Sequence, residues 1–199
     1  MGPHPRQMEP ETSKSRRKPR VDSIRNRERL LEAATEIFSA GGPQASLEAV
    51  AKKAGVGIGT LYRHFPTRDA LFEAVYRHEV DLLGDLAERL ARDEAPVEAL
   101  KTWLQANVRL VATKKGMIEA LQLAAHGSSE LKAYSYDRMI GAIRLLLDRA
   151  VKAGEVRGDV PPEDLLRTLV GIYYSQGTGD WQPTALRMVD VFVDGLRKR

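Results

Sequence analysis

The sequence predicts an all-α protein of about nine helices. Three observations carry that expectation. Apolar residues recur at i, i+3, i+4 and i+7 along most of the chain. Gly and Pro fall at the ends of these runs, where helices stop and start. No stretch alternates apolar and polar residues for long enough to argue a strand, and there is no Asn-Gly hairpin signal.

Residues 1–21 read as a disordered basic arm. They hold Pro3, Pro5, Pro10 and Pro19, the run KSRRKPR, and no apolar period. A first helix begins near Ser23 with Leu30, Ala34, Ile37 and Phe38 on one face, and it stops at Gly41 and Gly42. Ser46 is placed to cap a second, short helix carrying Leu47, Val50, Ala51 and Ala54. Gly55 ends that helix, and a third runs from about Gly57 to His64 and closes at Pro66. Thr67 can cap a fourth, opening RDALFEAVYRHEV. Further helical periods run from about Val97 to Thr113, Lys115 to Ala125, and Ser129 to Ala153 with Gly154 as the stop. The last two, about 162–176 and 183–197, each open with Pro in the first turn.

Composition narrows the chemistry. The chain of 199 residues has no cysteine, which excludes disulfides, thiolate metal sites and Cys nucleophiles. Nothing approaches the roughly 20 apolar residues of a membrane-spanning helix, and the N-terminus has no apolar signal core, so a cytoplasmic protein without a membrane partner is expected. His4, His64, His78 and His126 make no i, i+4 pair, and no P-loop, dinucleotide fingerprint or G-x-S-x-G elbow is present. GVGIG imitates a phosphate loop, but no strand precedes it. Glu163 and Asp164 open a helix, where the helix dipole accounts for them. Neither an enzyme nor a metal or cofactor site is expected.

Charge is informative by position. Residues 1–68 hold 13 Lys and Arg against 7 Asp and Glu, a net of +6; residues 69–199 hold 18 against 20, a net of −2. The asymmetry fits a polyanion partner for the first third, or a basic solvated tail.

The informative constellation lies between Ser46 and Phe65. A helix-turn-helix needs a small residue where its helices cross, and Ala51 supplies it. It needs a turn residue that accepts positive φ, and Gly55 stands four positions later. Its second helix needs inward apolar anchors, and Val56, Leu61 and Phe65 supply them. Ile58, Thr60, Tyr62, Arg63 and His64 are then shared between the outer face and its flanks, where they can meet phosphates and base edges in a major groove. By spacing alone, two short packed helices with a glycine between them would look the same.

The run AVAKKAGVGIGTLYRHFPTRDALFEAV closely resembles the helix-turn-helix and following helix of TetR-type bacterial transcriptional regulators. RERLLEAATEIFSAGGPQASLEAV resembles their first helix and the start of their second, and the closing WQPTALRMVDVFVDGLR is similar to the end of SbtR-like C-terminal domains. The resemblance implies a DNA-binding unit over residues 22–68 and a helical effector-binding and dimerisation unit over 69–199. It implies double-stranded DNA as partner, read by Arg27, Ser46, Leu47, Gly57, Ile58, Thr60, Tyr62, Arg63, His64 and Arg68. Within that set, Tyr62, His64 and Arg68 match phosphate-contacting positions. Ser46 and Leu47 would offer backbone N–H groups at a helix N-terminus. Arg63 occupies a variable, base-reading position, and an Arg there can make a bidentate contact to guanine. Gly57 stands where many members have Ser, so the third helix loses a side-chain cap.

The resemblance also implies a homodimer that reads a palindrome, through a four-helix interface built from the last two helices. The residues expected there are Leu165, Leu169, Tyr173, Leu186, Val189, Phe192, Val193 and Leu196. An unidentified small-molecule effector would bind between the helices of 97–153, lined by Trp103, Met117, Leu121, Tyr134, Met139 and Tyr173, although residues of these types are more often plain core. Ligand binding would tilt the fourth helix and shift the recognition helices from the roughly 34–36 Å of adjacent major grooves. Repression is the family's commoner sense. The basic arm reads two ways, as a minor-groove contact or as a solubility tail, the latter including the possibility that Met8 is the initiator.

Overall fold

The computed structural model describes residues 17–41, 44–113, 129–174 and 181–198. These form eight helices: α1 (Arg17–Gly41), α2 (Leu47–Ala54), α3 (Ile58–His64), α4 (Arg68–Asp93), α5 (Pro96–Thr113), α6 (Ser129–Lys152), α7 (Pro162–Tyr174) and α8 (Gln182–Leu196). Among the described residues there is no strand. A single antiparallel bridge pairs Val156 with Arg197 and ties the α6–α7 connection to the end of α8. The helix expected over Lys115–Ala125 lies outside the described residues.

The expected boundaries hold within a residue or two except at the start of α1. That helix begins at Arg17, so positions 17–21, read from composition as part of a disordered arm, are helical. Arg and Lys are good helix formers, and a Pro within the first turn loses no hydrogen bond because the first N–H groups have no intrahelical partner. The end caps follow the sequence signals. Ser46 Oγ accepts from Ala49 N at 3.3 Å, and Thr67 Oγ1 accepts from Ala70 N at 3.1 Å. Gly55 adopts φ 67° and ψ 34°, its N–H donates to Lys52 O, and Val56 N–H donates to Ala51 O. This is the left-handed helix ending that a glycine allows at least cost.

Two apolar cores result, and α4 serves both. The first is built by Leu30, Ala34 and Phe38 of α1, Val50 and Ala51 of α2, Leu61 and Phe65, and Leu71, Phe72 and Val75 of α4. The Phe38 and Phe72 rings stack at 4.2 Å between centroids. The second gathers Leu83, Ala87 and Leu90 of α4 with Leu100, Trp103 and Leu104 of α5, Ile143 and Leu146 of α6, and Leu165, Val189 and Val193 of the last helices. The boundary expected after residue 68 is therefore not a gap in packing. The first turns of α4 complete the first core, and the same rigid helix continues into the second.

Polar contacts lock α4 to its neighbours. Glu79, only 4% exposed, accepts a hydrogen bond from Thr35 Oγ1 of α1 at 3.0 Å. Asp81 accepts the Tyr134 hydroxyl of α6 and pairs with Arg138 Nε at 3.2 Å. Arg77 lies over the Tyr134 ring and pairs with Glu73 and Glu130. No described helix is long and apolar enough to cross a membrane.

Candidate nucleic-acid interface

The site is an outer surface resting on the first core. On α3, Leu61 is fully buried and Phe65, immediately after the helix, is 3% exposed; Val56 packs beside them. Those anchors fix which way the helix faces. Ile58, Gly59, Tyr62 and Arg63 are exposed, while Thr60 and His64 lie half-buried at the flanks. Gly57 caps the helix from extended backbone without a side-chain bond, as its identity requires. Tyr62 and Ile58, four positions apart, put two large apolar surfaces in solvent at 45% and 37% exposure. A helix that holds aromatic and basic groups outward on a stiff base can enter a groove without reorganising.

The remaining residues expected to meet DNA are distributed as follows. Arg27 is exposed, with its guanidinium 5.4 Å from the centroid of the Phe65 ring. Ser46 is exposed at the start of α2, but its hydroxyl is engaged: it donates to Glu48 Oε2 at 2.7 Å while accepting from Ala49 N. That hydrogen bond, more than any other influence, holds the Glu48 carboxyl below its usual range and keeps a negative charge at this helix start. The Leu47 side chain is 6% exposed and belongs to the core, so only its backbone faces outward chemistry. Arg68 is half-buried, and its Nη1 donates to Ala45 O at 2.8 Å, fastening α4 to the loop before α2. One cation that the motif did not mark also enters the site. The Arg29 guanidinium lies against Gly55, so close that a Cβ there would stand 2.4 Å from Arg29 Nη2.

The residues expected to line an effector pocket separate into four groups. Trp103 is fully buried, and its indole N–H donates to Leu83 O at 2.9 Å, which makes it a core residue of the α4–α5 contact. Tyr134 belongs to the α4–α6 polar contact. Met139 and Tyr173 do converge: Tyr173 donates to Asn107 Oδ1, and Asn107 Nδ2 points at Met139 Sδ at 3.8 Å. The Tyr173 ring meets Trp181 edge-on at 6.3 Å, and burial pushes its phenol above the ordinary range. Met117 and Leu121 lie outside the described residues. Asn107, 3% exposed, was missed by the sequence reading. Its signal is an amide on the stripe shared with Trp103, Leu104 and Val108.

The residues expected at a dimer interface differ in their exposure within a single chain. Leu165, Leu169, Val189, Val193 and Leu196 are at most 4% exposed within a single chain, so the intramolecular core consumes them. Tyr173, Leu186 and Phe192 are half-buried. Among the described side chains of α7 and α8, the large apolar ones left in solvent are Val170, Met188 and Val191, exposed by 39%, 46% and 73%. Sequence period marks an apolar stripe, but it does not say which edge of a wide stripe the chain itself covers. Among the described residues, no group of three or more His, Asp or Glu is placed to hold a metal ion.

Comparison with known proteins places this geometry in context. The signature of bacterial regulatory proteins of the tetR family matches residues 30–75, and that of the SbtR-like transcriptional regulator C-terminal domain matches residues 95–198. A TetR transcriptional regulator of Streptomyces coelicolor is similar at 39% identity and a TM-score of 0.75, covering 86% of this chain and 98% of that one. A TetR transcription regulatory protein of Mycobacterium vanbaalenii is similar at 35% identity and a TM-score of 0.73, covering 90% and 99%. An HTH-type transcriptional repressor of Mycobacterium tuberculosis is 37% identical over 84 residues, 42% of this chain and 43% of that protein. The match thus spans less than half of that curated relative's length.

Proposed function

Since the chain belongs to the TetR family of DNA-binding transcriptional regulators and is no enzyme, we propose that it is an effector-responsive repressor that reads a palindromic operator as a homodimer. The observation that carries the proposal is the outer face of α3, where Tyr62 and Arg63 stand exposed on the buried anchors Leu61 and Phe65. In this reading Arg63 reads a base edge. Thr60, Tyr62, His64 and Arg27 meet phosphates beside it, Ile58 packs against the groove, and the glycine at 57 lets the backbone approach closely. Ser46 and Leu47 contribute backbone N–H groups at the start of α2. Arg68 acts chiefly by fixing α4 to the loop before α2, and any phosphate contact it makes is secondary to that bond. The DNA-binding unit runs from α1 into the first turns of α4, and the rest of the chain forms the regulatory unit.

One helix-turn-helix covers one half-site, so a palindrome requires two copies. The proposed dimer face lies on Val170 of α7 and Met188 and Val191 of α8, flanked by Leu186 and Phe192. The proposed effector site lies around Asn107, Tyr173 and Met139, where buried polar atoms sit among apolar surface. An effector that binds there must favour one placement of α4 over another, because equal affinity for both would shift nothing. The α4 contacts with Thr35, Tyr134 and Arg138 are what such a shift must strain. The site of action is the bacterial cytoplasm, on the chromosome.

The test is selection of bound sequences from a random duplex library near physiological salt, since low salt hides specificity. A palindromic consensus whose half-sites lie one helical turn apart is the expected result. A folded protein that enriches no sequence, with or without added effector candidates, refutes the reading.

A further inference from the structure

The start of α2 already holds an anion of its own. The first N–H groups of any helix lack intrahelical partners and attract negative charge. At α2 that charge is the Glu48 carboxylate. Its Oε2 accepts from Ser46 Oγ at 2.7 Å, and the backbone N–H of Glu48 itself also favours the ionised form. Arg68, fastened to Ala45 O beside it, adds a weaker attraction. Ser46 and Glu48 are both exposed, so no packing against the core holds the carboxylate in place.

These are the groups that a DNA phosphate needs. In the reading proposed above, the backbone N–H groups at Ser46 and Leu47 meet the phosphate backbone while α3 lies in the groove. Hydrogen bonds span about 3 Å and successive residues about 3.8 Å, so a phosphate held there would stand within roughly 5 Å of a carboxylate bonded to Ser46 Oγ. The Ser46 hydroxyl has one proton to donate, and it bonds either the carboxylate or a phosphate oxygen. Two like charges are thus directed to one helix start. As a duplex approaches, the Glu48 side chain either rotates away and gives up its bond or stays and repels the phosphate.

We infer that Glu48 limits affinity for DNA: its carboxylate occupies the phosphate position at the start of α2 and must be displaced when the duplex docks. The inference rests on the DNA-reading assignment of the helix-turn-helix. The competition involves the phosphate backbone alone, so it weakens every duplex by a similar factor and leaves the base preference of α3 unchanged. The same carboxylate favours folding, because a negative charge in the first turn complements the helix dipole. Removing it therefore acts in opposite directions on binding and on stability, which a merely structural role would not do.

The test compares the full-length chain with Glu48→Gln, which removes the charge and keeps the shape, and with Glu48→Ala, which removes both. Glu88→Gln, at an exposed carboxylate of α4, controls for the change in net charge. Affinity for the selected operator and for random duplex is measured by fluorescence anisotropy across salt concentration. Two unit charges about 5 Å apart in water repel by about a fourfold factor in affinity per half-site, or roughly fifteenfold for a dimer before screening. The expected result is binding at least about threefold tighter in both Glu48 variants at low salt, with a gain that shrinks as salt rises and an unchanged consensus. The thermal midpoint should fall by about 1–2 °C in the same variants. Affinity equal to that of the unmodified chain, or a gain matched by Glu88→Gln, overturns the inference. Binding that weakens together with stability also overturns it and leaves Glu48 a helix-starting residue only. The two readings fail separately. If the unmodified chain binds all duplexes alike and the Glu48 variants still bind them more tightly, the competition stands and specific reading by α3 falls.

Discussion

Gly55→Ala is the most direct test of how the helix-turn-helix is held. Gly55 ends α2 at φ 67°, in the left-handed region. An L-residue there costs about 1–2 kcal/mol, partly offset by the about 0.4–1 kcal/mol that alanine gains by restricting the unfolded chain. The added Cβ would also stand 2.4 Å from Arg29 Nη2. That atom ends a flexible exposed side chain, so its displacement adds little. The net expectation is a destabilisation of about 1 kcal/mol, or roughly 2–4 °C in Tm for a chain of this size. Gly59→Ala is the paired control, because Gly59 lies inside α3 and its Cβ would meet nothing within 4 Å. There alanine should stabilise by about 0.5–1 kcal/mol through helix propensity. Urea unfolding followed by far-UV circular dichroism measures both. Tryptophan fluorescence adds a regional probe, because Trp103 is part of the second core and Trp181 packs against it. Opposite shifts of the two variants are expected. A Gly55→Ala protein as stable as the unmodified one, or a shift of both in the same direction, would refute the account of the turn.

Other predictions follow from the placement of single groups. Arg63→Ala should weaken operator binding by about 1–3 kcal/mol and relax preference at one base pair while leaving unfolding unchanged. Arg68→Ala should instead lower unfolding stability by about 1 kcal/mol, because its bond to Ala45 O is lost, and a denaturation midpoint equal to that of the unmodified chain would contradict this. Val191→Asp puts a charge at the centre of the proposed dimer face and should shift sedimentation from dimer to monomer without loss of helix content. An unaltered dimer would place the interface elsewhere. Burial raises the Tyr173 phenol above its ordinary 10.0. The unfolded chain therefore ionises first, so the stability from this group is complete below pH 10 and falls as pH rises beyond it. Tyr173→Phe should flatten that decline in an alkaline unfolding series, and an identical decline in the variant would show that other groups cause it.

The sequence announced its DNA-reading surface far more clearly than its regulatory one. Ser46, Gly55 and Thr67 are local devices, each bonded to backbone groups within four residues, so their roles can be read from spacing. Leu61 and Phe65 face inward because the helical period leaves no alternative. By contrast, Leu165 and Val170 lie on one apolar helix, and only its packing against α6, α8 and α5 decides that the first is buried and the second is not. The hydrogen-bond partners of Trp103 and Tyr134, Leu83 O and Asp81, lie 20 and 53 positions away, and no local signal specifies them. The Arg17–Arg20 segment was misjudged because its charge and its proline suggest disorder, although arginine and lysine carry ample helix propensity.

What the sequence alone determined is the helical architecture, the capped motif between Ser46 and Phe65, and the concentration of positive charge in the first third. These depend on short-range periods and on the preferences of single residues. Tertiary structure decided which edge of each apolar stripe faces solvent. It turned Arg68 into a fastener of the loop before α2, and it brought Asn107, Met139 and Tyr173 together from three helices. It also carried α4 unbroken through both cores. Such outcomes depend on contacts between residues far apart in the chain, where the packing of many side chains selects among arrangements that each local sequence permits.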